Sequence, residues 1–222
     1  MMMSMFSVFD PVSYFGLSVN WMALVLVFMV FPLSFFVCGG GLEIVKMMVV
    51  MELSGLFSEM SFPNYSGLVM LSVVLFLLIS MMNVLGLFSF FFSCTGHVMV
   101  TLSMGAVVWV MGVLMGWMKN FSDSSAHLVP QGSPLILSPF MVVIEFVSHL
   151  IRPVTLSVRL AANMMSGHLI VGLISSVAML GLGSFMISVV LQSVILILEW
   201  AVCFIQAFVF SVLVLLYSLD YY

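Results

Sequence analysis

The sequence predicts an all-α integral membrane protein in which membrane-normal helices support a long, strongly tilted two-helix hairpin. Hydrophobic residues make up 64% of the chain and charged residues 5%, whereas soluble domains carry roughly a quarter charged residues. Mean hydropathy is +1.39. Uncharged runs long enough to cross hydrocarbon, about 20 residues each, recur along the 222 residues and leave nothing for a soluble domain.

The elements follow in order within a single membrane domain, 1–222. The first span is 17–37, built on the uncharged run Trp21 to Val37; Pro32 kinks or ends its last turn, and Cys38 followed by three glycines breaks it. Next, 42–60 carries Glu43, Lys46, Glu52 and Glu59 among apolar residues. Glu43, Lys46, Ser54 and Ser58 share one side while Glu52 and Glu59 point the other way, which suits an interfacial helix of poor amphipathicity or a plain surface connector. Two further spans, 67–92 and 97–118, form a hairpin turning at Cys94 to His97, and Gly105, Gly112 and Gly116 offer a face that another helix can approach closely. Lys119 to Ser138 is the polar linker, with turns at Pro130, Gly132 and Pro134 and with Asp123 and His127 read as solvated. The long hairpin is 139–180, interrupted only by Pro153, and 185–218, joined across Gly181 to Ser184. Each arm exceeds roughly 45 Å at 1.5 Å per residue, against a hydrocarbon thickness of about 30 Å. Such arms must tilt or break.

Several function classes are excluded at this level. Net charge is −4, and the only cationic side chains that are always charged are Lys46, Lys119, Arg152 and Arg159. No basic patch exists for nucleic acid or anionic headgroups. Cys38, Cys94 and Cys203 are too scattered for a metal motif or a disulfide framework and read as apolar filler. Four dispersed histidines provide no pattern for haem or copper, so no cofactor is expected. The N-terminus lacks both an arginine-rich transit pattern and a charged secretory n-region. The 23 methionines suit an organellar genome whose code gives methionine an extra codon.

One polar stripe stands out. At about 100° per residue, Glu145, Ser148, Arg152, Thr155, Arg159, Asn163 and Ser166 cluster around the direction of Arg159 on an otherwise apolar helix. The last helix repeats the pattern with Ser188, Gln192, Glu199, Cys203, Gln206, Tyr217 and Asp220. Two striped helices joined by a tight turn can enclose a wet track, the setting in which ionisable groups are tolerated at membrane depth. Arg159 lies too deep in its run to reach the interface by snorkelling, so a functional role is expected. Arg152 is ambiguous: Glu145 is seven residues away, too far for direct pairing on one helix surface. A lone Glu199 is costly unless solvated, paired or protonated, which suits proton relay. Asp220 reads equally as a solvated C-terminal residue, and Glu145 as a helix-start acid near the positive end of the macrodipole. His168 can exchange protons near neutrality, but nine residues from Arg159 it projects to the opposite side. A buried histidine bonded to a carbonyl is the competing reading.

With these residues in view, the chain resembles the subunit a family of F-type ATP synthases, in its mitochondrially encoded form. The resemblance covers nearly the whole length. Its most specific part is IRPVTLSVRLAANMMSGHLI, with Arg159, Asn163, Gly167 and His168; further matches are NVLGL at Asn83 to Leu87, HLVPQGSP at His127 to Pro134, and LEWAVCFIQAFVFSVLVLLYSLD from Leu198 to Asp220.

The resemblance implies a proton-conducting stator subunit, not an enzyme by itself, in the mitochondrial inner membrane. Its long hairpin would pack against a rotor ring (the c-ring) of carboxylate-bearing subunits. Other implied partners are the peripheral stalk, further membrane subunits, protons and membrane lipids. By position, Arg159 corresponds to the essential arginine between two aqueous half-channels. His168 and Glu199 correspond to the inlet on the intermembrane-space side, Glu145 and Asp220 to the outlet on the matrix side, and Asn163 and Gln206 to polar neighbours of the arginine. Lys46 and Lys119 flank the first and third spans on one side, the matrix by the positive-inside tendency. A hydrophobic subunit of a respiratory electron-transfer complex shares the composition but needs cofactor ligands or a lysine relay. A small secondary transporter needs an internal repeat, and none is visible.

Overall fold

The computed structural model describes residues 9–10, 19–30, 40–61, 66–88, 91–119, 129, 137–179 and 181–220. The described residues form helices and turns, with no strand among them. Helices pair most of their backbone polar groups within their own segment, which is what hydrocarbon demands.

A 3-10 turn at Val19–Trp21 leads into α1, Met22–Val30; residues 17–18 and 31–37 of the expected first span lie outside the described residues. Helix α2 is Gly41–Met60 and α3 is Ser66–Gly86. A second 3-10 turn, Cys94–Gly96, precedes α4, Val98–Lys119. The two long helices are α5, Ser138–Ala178, and α6, Leu182–Asp220. Most of the 120–136 linker, including Asp123 and His127, lies outside the described residues. Helices α3 to α6 are each long and apolar enough to cross a membrane. This is an all-α integral membrane protein.

Helix α5 begins with Pro139 in its first turn, where a missing N–H costs nothing. It runs unbroken through Pro153, an interior position that removes one backbone hydrogen bond. The Ser157 hydroxyl donates to the Pro153 carbonyl at that point. The same hydroxyl lies against α4, since a Cβ on Gly105 would come within 2.9 Å of it. Gly105 is therefore a packing glycine, permitting close approach of α4 and α5.

Two apolar clusters join the bundle. Ile79, Leu156, Leu160, Ala207 and Phe210 tie α3, α5 and α6 together. Phe57, Val69, Val73 and Leu215 tie α2 and α3 to the far end of α6. Phe57 is fully buried, so α2 is anchored by its aromatic face while Met47, Met48 and Met51 stay exposed. Dispersion and close packing, more than water exclusion, hold such clusters together within lipid.

Candidate functional site

The buried residues of α5 are Leu156, Ser157, Leu160, Ala161, Met164 and Gly167. Their common direction is more than a quarter turn from Arg159 at about 100° per residue. The centre of the polar stripe, at Arg159, is consequently turned off the packed face. Thr155, Arg159 and Ser166 are exposed, and Arg159 makes no ion pair among the described residues. A permanent cation is thus displayed midway along a 41-residue apolar helix, outward from its own bundle.

The stripe on α6 turns the other way. Ser188 and Cys203 are buried, and Gln192, Glu199, Gln206 and Tyr217 are partly buried. Glu199 lies directly against α5 at Gly167: a Cβ there would come within 2.7 Å of the Glu199 carboxyl carbon and would overlap Oε1. Any residue other than glycine at 167 has to displace the carboxyl. Glu199 Oε1 is buried and has no hydrogen-bond partner among the described residues. Beside it is a small pocket whose polar lining is Asn83, Asn163, Glu199, Cys203 and Gln206. Met164 closes one wall, its sulfur 3.9 Å from that of Cys203.

His168 follows Gly167 and points to a different side. Its ring meets the backbone of Gly86 and stands edge-on to Phe9, centroids 6.2 Å apart. Nε2 is buried without a hydrogen-bond partner among the described residues. Gly86 itself is hemmed in by Met164 and Ser93. The end of α3, the 3-10 turn and the second half of α5 therefore meet around this histidine.

At the other end of the hairpin, Glu145 pairs with His149 at 3.4 Å, an i,i+4 contact on α5. Arg152 lies over the Tyr217 ring, 4.8 Å from its centroid. Three facing pairs define the antiparallel register: Arg152 with Tyr217, Asn163 with Gln206 across the pocket, and Gly167 with Glu199. Extending that register carries Glu145 just past the end of α6 at Asp220. Nothing of the Asp220 side chain is described.

The expected residues fall into separate groups. Glu199, Asn163 and Gln206 share one pocket, His168 is adjacent to it, Arg159 faces away, and Glu145 lies about 21 Å along α5 from Arg159 at 1.5 Å per residue. Asn83, His149 and Tyr217 had no assigned role in the sequence. The i,i+4 spacing of Glu145 and His149 was the signal for one of them, and the NVLGL match for another.

The family described as ATP synthase A chain matches residues 5–218. Proteins named ATP synthase subunit a are similar over almost the full length. That of Artemia franciscana is 41% identical over 98% of this chain and 99% of its own. Those of Anopheles quadrimaculatus and Drosophila simulans are each 39% identical over 98% of both chains. With a whole-length family match on the same two long helices that carry Arg159 and Glu199, this chain belongs to the ATP synthase A chain family.

Proposed function

We propose that this chain is the proton-conducting stator subunit of the membrane sector of a mitochondrial ATP synthase, a multi-pass protein of the inner membrane that is mitochondrially encoded and not catalytic on its own. The observation that carries the reading is Arg159, a fixed cation on the outer face of α5 midway along an apolar helix long enough to cross a membrane. Such a charge calls for a countercharge outside the chain, and a carboxylate on a rotor ring supplies it.

The two long helices, at about 60 Å each by helical rise, are the tilted hairpin that faces the ring. Protons reach the ring through His168 and Glu199 and leave by way of Glu145 and Asp220, while Asn163 and Gln206 place the arginine between the two paths. An arginine cannot release its proton at workable pH. It attracts a deprotonated ring carboxylate and passes no proton itself, so the two paths are joined only by rotation. A leak across it would dissipate about 2.3 kcal/mol per proton per 100 mV. The other partners are the peripheral stalk, further membrane subunits of the synthase and the surrounding lipids.

The test is proton-driven ATP synthesis by the assembled complex in vesicles, with Arg159→Ala beside the wild type. Loss of coupled synthesis with assembly intact is expected. Normal synthesis by an assembled variant overturns the reading.

A further inference from the structure

Among the described residues, buried hydroxyls follow one rule with two exceptions. Ser72, Ser80, Thr101, Ser157, Ser188, Ser211 and Ser218 each donate to a backbone carbonyl three or four residues earlier, the usual way a hydroxyl is satisfied inside an apolar helix. Ser93 and Thr95 are equally buried, at 2% exposure, yet neither hydroxyl has a partner among the described residues. Ser93 precedes the 3-10 turn between α3 and α4, and Thr95 is its central residue. An unpaired buried hydroxyl is tolerated where water can reach it.

The other unpaired atoms show where that water leads. Of the seven buried side-chain polar atoms without a partner among the described residues, six belong to Asn83, Ser93, Thr95, His97, His168 and Glu199. They form one connected region. Ser93 packs on Gly86, with 3.5 Å from a Cβ built there to the Ser93 backbone; the Gly86 backbone meets His168; His168 adjoins Gly167, against which Glu199 rests; and Asn83 lines the Glu199 pocket. Phe9 roofs this region, touching both Gly96 and the His168 ring. His97, whose ring lies tilted against those of Phe92 and Trp21, borders the outer edge.

We infer that the 3-10 turn Cys94–Gly96 is the outer mouth of the inlet path, where the hydroxyls of Ser93 and Thr95 line the water that hands protons to His168. Each hydroxyl accepts one hydrogen bond and donates another, so a proton moves along the file with no net change in the side chains. This rests on the proposed function and extends it to residues on α3 and the turn that carry no role so far.

The assembled complex in vesicles tests it through the rate of potential-driven proton flux. Thr95→Val combined with Ser93→Ala removes both hydroxyls at nearly constant volume and is expected to slow flux about tenfold. Thr95→Ser keeps the wild-type rate, and Thr101→Val, whose hydroxyl already bonds its own helix, is unchanged. If the double variant conducts normally while Glu199→Gln is blocked, the mouth lies elsewhere and the inference fails. If Glu199→Gln itself conducts normally, the parent reading fails. Equal losses for Thr95→Val and Thr95→Ser mean packing, which also overturns it. Should the double variant not assemble, Thr95→Cys in a chain with Cys38, Cys94 and Cys203 changed to alanine is exposed to silver ions. Block of flux is expected, and undiminished flux sinks the proposal.

Discussion

Gly167 on α5 leaves the space that the Glu199 carboxyl of α6 occupies, with a Cβ at position 167 coming within 2.7 Å of the carboxyl carbon. The two long helices thus meet here through a glycine and an acid, and the acid is held at the edge of the pocket shared with Asn163 and Gln206. Gly167→Ala therefore does more than tighten packing. Overpacking costs roughly 1–3 kcal/mol, and here the group that yields is the carboxyl assigned to the inlet path. Proton-driven ATP synthesis is expected to fall by about an order of magnitude, in proportion to that displacement, while the complex still assembles. Adding Glu199→Asp, one methylene shorter, restores part of the rate. An assembled Gly167→Ala complex with wild-type synthesis means that the carboxyl position does not matter.

Arg159 is tested separately by its chemistry and by its charge. Under the proposed function Arg159→Ala abolishes coupled proton flow. Arg159→Lys keeps the charge but introduces a group that can deprotonate when desolvated, so passive leak rises. The decay of an imposed potential across vesicles, measured without nucleotide, separates the two variants. A lysine variant as proton-tight and as active as the wild type removes the argument that a non-titrating cation is required.

How much of this was legible beforehand follows from what each feature depends on. Four long apolar helices are a matter of composition and run length, and both are local properties. The two polar stripes follow from the helical period alone, so Glu199, Asn163 and Gln206 could be singled out together. Which way each stripe residue turns depends on packing: Thr155, Arg159 and Ser166 of α5 face out, Arg152 and Asn163 turn toward α6, and much of the α6 stripe faces in. Gly167 looks like any packing glycine until the acid beside it is seen. The Arg152–Tyr217 contact needs the register of two helices, which no periodicity encodes. The end of α3 at Gly86 was equally hidden, because the apolar run continues to Phe92 and the helix stops where Ser93 and Met164 crowd the glycine.

Glu199→Gln keeps the shape of the side chain and removes its proton chemistry, so it isolates the relay from the packing. Proton translocation is expected to slow by about two orders of magnitude or more, the usual contribution of a positioned acid or base. The rate is measured across a range of pH, because a carboxyl that merely fills space leaves the whole profile unchanged. An unaltered profile makes Glu199 structural.

Arg152 stands one heptad before Arg159 on the same stripe, and its guanidinium lies over Tyr217 of α6. A cation held on an aromatic face contributes about 0.5–2 kcal/mol, more as the pair is desolvated. The contact therefore clamps the hairpin near the end where Glu145 and His149 pair. Tyr217→Leu, which keeps bulk and removes the ring, is expected to lower the thermal stability of the solubilised complex by an amount in that range. Arg152→Gln has a similar effect, and the two together cost less than their sum. That non-additivity is the signature of direct contact. A double-mutant cycle with strictly additive losses means that Arg152 and Tyr217 act independently, and the clamp is then absent.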